Sequence, residues 1–199
     1  MEHRRPKQSI IEPDFLLAAY GSGYFPMADS ADGEIGWYSP DPRAIIELGA
    51  FHISRSLRLT VKKKPFEILL NRDFGLVMRE CAQREETWIS EEIIQSYVDL
   101  RKLGFAHSVE CWDGSTLAGG LYGVALGGAF FGESMFSRKR DASKVALVHL
   151  VQRLNERGFL LLDTQFVTPH LRGFGTVEIP RQKYLERLKI AVQKECRFD

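Results

Sequence analysis

The sequence predicts an α+β protein, an α/β arrangement built on a mostly antiparallel sheet, and three stretches carry that expectation. Residues 107–136 alternate in period two and are cut by Asp113-Gly114 and Gly127-Gly128 into three runs, a hairpin signal given twice. Val145, Leu147, Val148, Leu150, Val151 and Leu154 then recur at helical spacing, with Asp141 as N-cap and Gly158 just past the end. An apolar strand over 159–165 follows and ends in Asp163-Thr164-Gln165, completing a strand–helix–strand unit whose two strands both finish in polar residues.

Residues 1–11 are polar and expected to be loose until docked. Pro13 and Asp14 open a helix over 15–20 that Gly21 and Gly23 stop. Tyr24-Phe25-Pro26-Met27, an acidic turn over 29–36 and Trp37-Tyr38-Ser39-Pro40-Asp41-Pro42-Arg43 read as an aromatic loop stiffened by three prolines. Such a loop is a hydrophobic lid over the core or a stacking platform for a base. Residues 44–48 form a short strand, 52–59 a helix with cations along one side, 66–70 a strand and 74–83 a helix. After Thr87-Trp88-Ile89, Ser90 caps a helix with Glu91 and Glu92 in its first turn, which stops near Gly104. The middle strand of the hairpins carries Gly119, Gly120 and Gly123, which points to a bulge or to close approach of a ligand. A glycine-bearing loop over 167–175 and a last strand over 177–179 precede a terminal helix begun by Pro180, with Tyr184, Leu185, Leu188 and Val192 facing inward. The plan is a small N-terminal lobe, residues 1–64, on a larger domain, residues 65–199.

A chain of 199 residues with 44% hydrophobic and 27% charged residues can bury one full core. A net charge of +1 gives no general attraction to nucleic acid, so such binding needs a local patch. Two are present: His52, Arg55, Arg58, Lys62, Lys63 and Lys64, and then Arg138, Lys139 and Arg140. Cys81, Cys111 and Cys196 show no close pairing, which argues for a reducing compartment. With no signal-peptide core and no membrane-length apolar run, the expected location is the cytoplasm, with no membrane contact.

Gly132-Glu133-Ser134-Met135-Phe136-Ser137-Arg138 places an acid, two hydroxyls and an arginine on an otherwise apolar strand, where they gain nothing unless they meet a ligand or each other. A serine nucleophile elbow is excluded, because Phe136 stands where the second glycine is needed. His52, His107, His149 and His170 fall on separate elements, so no metal is expected. Arg172-Gly173-Phe174-Gly175 is a weak phosphate-loop signal and equally a tight turn. Glu133, Asp163 and Gln165, with aromatics and basic patches around them, suit transfer of an acyl group to an amine, a reaction that needs no metal or cofactor. An α-amine titrates at about 7.7–8.0, so an acceptor hydrogen bond and a modest proton relay suffice to deliver it neutral. An acyl-CoA-dependent N-acyltransferase and a non-catalytic RNA-binding module are the alternatives.

Trp37-Tyr38-Ser39-Pro40-Asp41-Pro42-Arg43, His52-Ile53-Ser54-Arg55-Ser56, Thr87-Trp88-Ile89, Gly119-Gly120-Leu121-Tyr122-Gly123, residues 132–138, Ala142-Ser143-Lys144, Asp163-Thr164-Gln165 and Glu178-Ile179-Pro180-Arg181 together resemble, in order, the motifs of the leucyl/phenylalanyl-tRNA–protein transferases. The resemblance spans residues 12–190. It implies an N-acetyltransferase-like catalytic domain and an aminoacyltransferase that moves Leu, Phe or Met from aminoacyl-tRNA to proteins with N-terminal Arg or Lys, marking them for degradation in the N-degron pathway. The protein would act as a monomer. It further implies Asp163 and Gln165 at the reacting centre, Gln165 taking up the acceptor amine and Asp163 relaying or orienting the proton, with Glu133 holding the surroundings of Gln165 or the acceptor's N-terminus. Leu121, Phe130, Met135 and Leu154 would form the pocket for the donor side chain, which on steric grounds disfavours β-branched Val and Ile. Trp88 would flank the terminal adenosine, with further substrate contacts at Met27, Trp37 and Ser134. Arg55, Arg58, Lys62, Lys63, Arg138 and Lys144 would hold tRNA phosphates. The family's usual Phe-Pro-Trp is Phe25-Pro26-Met27 here, a thioether in place of one stacking aromatic.

Overall fold

Proline at the first helical position and Asp14 in the first turn start α1 (Pro13–Gly21), and Gly23, at φ +84°, lets the chain reverse after it. The computed structural model describes residues 10–30, 33–84 and 87–199, so most of the loose segment expected over 1–11 lies outside the described residues. The aromatic stretch after α1 forms a hairpin where the sequence predicts a loop: β1 (Phe25–Ala28) pairs antiparallel with β2 (Ile35–Tyr38). Burial along β1 does not alternate, and this removes the period-two signal that would have announced it.

β3 (Arg43–Ile46) is buried at all four positions. After a 3-10 turn over Leu48–Ala50, α2 (Arg55–Lys63) begins later than the expected 52–59, because Ser54 is its N-cap and accepts from the Leu57 amide. β4 (Glu67–Leu70), α3 (Phe74–Ala82, capped by Asp73) and α4 (Glu91–Lys102, capped by Ser90) follow the predicted pattern. β5 (Ala106–Asp113), β6 (Thr116–Leu126) and β7 (Ala129–Ser137) are the predicted double hairpin. The first turn is Gly114-Ser115, since Asp113 itself pairs with Thr116. The second is Gly127-Gly128, as expected.

α5 (Ala142–Glu156), β8 (Leu161–Gln165), α6 (Pro169–Arg172), β9 (Thr176–Ile179) and α7 (Arg181–Val192) complete the chain. The short α6, capped by Thr168, falls inside the predicted loop over 167–175 and is too brief to show a period. In α7 the inward residues are Tyr184, Leu188 and Ala191; Leu185, expected inside, is exposed and Val192 is half-buried.

The main sheet has seven strands in the order β4-β5-β6-β7-β8-β3-β9, antiparallel throughout except for β7 with β8. β3, from within the expected N-terminal lobe, is thus built into the sheet of the larger domain. Alternation sends Phe131 and Leu161 into one core cluster, shared with α1, α3, α4 and α7, and Phe130 and Leu162 into another, shared with α2 and α5. The strand glycines serve the protein's own packing. A Cβ at Gly119 would lie 2.6 Å from that of Ala142 at the start of α5, and opposite the Tyr122–Gly123 step β7 is bulged, with Glu133 as its extra residue.

What positions the site is a splay. β7 and β8 pair only through Ala129–Leu161, Phe130–Leu162 and Phe131–Asp163, after which β7 runs on to Ser137 paired with β6 alone. On the other side of β8 the register slips, so that Ala44 faces Gln165 and Ile45 faces Asp163. The sheet therefore opens at the ends of the two strands that both finish in polar residues.

Candidate active site

A cavity of about 1060 Å³ occupies that opening. Glu133, Ser134 and Met135 of β7 line it from one strand and Thr164, Gln165 and Phe166 from the other. Leu121, Leu147, Leu150 and Leu162 supply apolar wall from the α5 side of the sheet, while Met27 and Trp88 close it from the opposite layer. Arg84, Arg138, Lys139, Arg140 and Lys144 also line it.

Glu133 is half-buried and its carboxylate gathers donors. The Tyr20 hydroxyl donates to Oε1 at 2.8 Å, Gln165 Nε2 donates to the same oxygen at 3.1 Å, and the Tyr97 hydroxyl reaches Oε2 at 3.5 Å. The two tyrosine hydroxyls are hydrogen-bonded to each other. Burial pushes the Glu133 carboxyl up to about 8, the Tyr20 bond pulls against it, and nearby Asp163 adds to the rise while Arg43 opposes it. Burial also raises Tyr20 and Tyr97 well above the usual phenol range, so both stay protonated as donors.

Asp163 stands behind this wall and does not line the cavity. It is fully buried and held by Arg43, whose Nε donates to Oδ1 at 2.9 Å and Nη2 to Oδ2 at 2.6 Å. Tyr184 donates to Oδ2 at 2.8 Å, and Oδ1 also accepts the backbone N–H of Gln165 at 2.9 Å. Burial works against the Arg43 cation, but its bonds to Asp163 outweigh that, and its pKa is raised. The regular alternation expected to place Asp163 and Gln165 on one face is interrupted by Thr164, which has no partner on β3, and by Gln165, which has φ +57° and turns out of the strand.

Of the other residues the sequence singles out, Leu121, Met135, Trp88, Met27, Ser134, Arg138 and Lys144 line the cavity. Phe130 and Leu154 do not: both are fully buried in the α5-side core, where Phe130 stacks on Phe198 at 5.2 Å. Leu147, Leu150 and Leu162 take the place expected of them. Trp37 lies on β2 with its edge against Phe15 at 5.1 Å and is outside the cavity. Arg55, Arg58, Lys62 and Lys63 are exposed on α2, away from the cavity lining, and among the described residues none of the four forms an ion pair. Arg138 is clamped bidentately by Glu80 at 2.6 and 2.5 Å, and Lys144 pairs with Asp141 at 3.0 Å.

Sequence reasoning does not single out Tyr20, Arg43, Tyr97 or Arg84. Arg84 donates to Ser134 Oγ at 2.7 Å and to the Met135 carbonyl at 2.8 Å, fixing the exposed end of β7. Arg43 carries a signal in hindsight: it is a cation opening a strand that is apolar at every later position. The 172–175 stretch is the end of α6 and a tight turn, with Gly175 at φ +85° packed on the Ala50 carbonyl. The described residues contain no cluster of His, Cys, Asp and Glu that could hold a metal, and no helix long and apolar enough to cross a membrane.

Comparison with known proteins returns one family over nearly the whole chain. The family model for leucyl/phenylalanyl-tRNA protein transferase matches residues 45–189, and that for the N-terminal domain of the same proteins matches residues 10–41. A leucyl/phenylalanyl-tRNA–protein transferase of Rubrobacter xylanophilus is 54% identical over 189 residues, covering 94% of this chain and 98% of the relative. One of Gloeobacter violaceus is 54% identical over 188 residues, covering 94% and 97%. Among solved structures, a GCN5-related N-acetyltransferase-like protein from Streptococcus suis matches at 17% identity and a TM-score of 0.34, covering 88% of this chain and 61% of that one.

Proposed function

The chain belongs to the leucyl/phenylalanyl-tRNA–protein transferase family and is an aminoacyltransferase; from that premise we propose that it moves Leu, Phe or Met from aminoacyl-tRNA to the α-amine of proteins with N-terminal Arg or Lys, marking them for degradation. The observation that carries this reading is the hydrogen bond from Gln165 to Glu133 in the wall of a cavity whose lining joins leucines and Met135 to a set of cations. Because the Gln165 Nε2 is taken up by Glu133, its carbonyl oxygen is left to accept from an incoming amine.

The acceptor nitrogen attacks the ester carbonyl, the C–N bond forms as the C–O bond to the terminal ribose breaks, and the proton shed by nitrogen ends on the ribose oxygen. Before attack the ammonium must lose a proton. Glu133, pushed up to about 8, matches an α-amine at about 7.7–8.0, so exchange between the two is nearly isoenergetic. The leucine-lined wall takes the donor side chain, and Trp88 and Met27 flank the terminal adenosine. The exposed α2 cations Arg55, Arg58, Lys62 and Lys63, with Arg138 and Lys144 at the cavity, hold the acceptor-stem phosphates.

The same reading divides the chain into an N-terminal lobe, 1–64, tied through β3 into the sheet of a catalytic domain, 65–199, acting as a monomer in the cytoplasm. The test supplies leucyl-tRNA and peptides with N-terminal Arg, Lys, Asp or Glu. Product is expected with Arg and Lys; transfer to none of the four overturns the proposal.

A further inference from the structure

We propose that Arg43 is a positioning residue for the transfer, acting through Asp163 on the backbone of Gln165; this rests on the reading above in which Gln165 receives the acceptor amine. Gln165 sits at φ +57°, a left-handed conformation that L-residues adopt only when something holds them there. What holds it is Asp163 Oδ1, which accepts the Gln165 N–H at 2.9 Å in a local turn between residues two apart. A bulge on β8 coincides with that turn, since Ala44 faces Gln165 and Ile45 faces Asp163, leaving Thr164 without a partner across the pair.

A lone aspartate could rotate away from this duty. Here Arg43 grips both of its oxygens, at 2.9 and 2.6 Å, in the planar fork that only a guanidinium offers. The guanidinium is itself fixed: Nη1 donates to the Gly23 carbonyl at 3.1 Å, and the rings of Phe25 and Tyr184 lie 4.8 and 4.5 Å from its centre. Arg43 is fully buried and does not line the cavity, so it touches no substrate. Its effect is to aim the Gln165 amide, and displacement of a reacting partner by about 1 Å lowers a rate roughly 100-fold.

A stabilising ion pair with no other duty must be told apart from this. Replacing a buried pair by apolar residues of similar volume usually preserves folding, so the double variant Arg43→Met with Asp163→Leu keeps the core but deletes the acceptor for the Gln165 N–H. Expected are a still cooperative melt at a lower midpoint, because Tyr184 and the Gln165 N–H lose their acceptor, with unchanged tRNA affinity and kcat down about 10- to 100-fold. Arg43→Met with Asp163→Asn restores an oxygen for that N–H but no guanidinium fork to aim it, and should stay nearly as slow. A folded Met/Leu variant at full rate, or near-full recovery in the Met/Asn variant, overturns the proposal. Should the apolar pair fail to fold, Arg43→Lys, which keeps the charge and loses the fork, decides: a lower kcat at constant tRNA affinity supports the proposal and a full rate overturns it. Gln165→Ala run beside these separates the two levels. An inactive wild type sinks the function, whereas a full rate in Gln165→Ala removes the role of Gln165 and with it any purpose for Arg43.

Discussion

Gln165 Nε2 lies 3.1 Å from Glu133 Oε1, joining two strands that stopped pairing at Phe131 and Asp163. The bond spans the opening in the sheet, and the same Glu133 oxygen takes the Tyr20 hydroxyl at 2.8 Å. Side chains therefore replace the backbone ladder at the place where the backbone separates and the cavity opens. The amide's orientation follows from the carboxylate's need for donors.

That arrangement gives Glu133 a measurable effect on stability. Its pKa in the folded protein, about 8, lies above the ordinary carboxylate value of about 4.5, so the folded state binds more protons than the unfolded state between those limits. The contribution of this group to stability is full below about 4.5, declines as pH rises to about 8 and is flat beyond. Its size is on the order of a few kcal/mol. Glu133→Gln should remove the decline, read from urea midpoints at pH 5, 6.5 and 8; an identical slope in both proteins contradicts the raised value.

Two buried hydroxyls at the cavity, Thr164 Oγ1 and Tyr122 Oη, have no hydrogen-bond partner among the described residues. An unpaired buried hydroxyl costs about 1–3 kcal/mol. Thr164→Val keeps the shape and should raise the unfolding free energy by about 1 kcal/mol, with Tyr122→Phe behaving alike. Equilibrium denaturation checks this, and a clear loss of stability in either variant refutes it.

The elements most legible in the sequence are those with glycine in their turns or with helical spacing. β5, β6 and β7 announce themselves by Gly114 and Gly127, although β5 and β6 are buried on both faces, and α5 by its apolar spacing. The β1–β2 hairpin did not, because Phe25 and Pro26 are both buried and neighbouring residues do not alternate. Glu133 and Gln165 were legible as polar residues at apolar strand tips. The hold of Arg43 on Asp163 was not: the two are 120 positions apart in the chain, and no local pattern reports so distant a grip. Phe130 and Leu154 have the right chemistry for a pocket, but facing and register decide which apolar residues meet the cavity, and here they sent both into the closed core.

Binding of tRNA should weaken steeply with salt, because each neutralised phosphate releases counterions. Arg55 and Arg58 are exposed on α2, with no ion pair among the described residues to occupy them. Alanine at either should lower the slope of log affinity against log salt by about 1, without changing the preference among tRNAs. Arg138 differs, since it is already paired with Glu80. Its removal frees a largely buried carboxylate beside the cavity and should cost stability as well as affinity. Filter binding between 50 and 200 mM salt separates these cases, and an unchanged slope in Arg55→Ala and Arg58→Ala removes α2 from the tRNA surface.

The preference among donors should respond to Met135, which lines the cavity and is half-buried, so a larger side chain there can project into open space without forcing the core apart. Met135→Trp takes volume from the side-chain pocket. A bulky donor loses more than a slender one, because an unbranched thioether chain can bend around an obstruction that a ring cannot. In a pocket of this kind one methylene is worth about 10- to 200-fold in kcat/KM. Phenylalanine transfer in Met135→Trp should therefore fall by at least that range, and methionine transfer by markedly less, while affinity for the uncharged tRNA stays the same. The ratio of the two rates within one preparation is the measurement, since it cancels any loss of folded protein. Equal losses for the two donors would show that the wall beside Met135 does not hold the donor side chain, and would move that pocket elsewhere in the cavity.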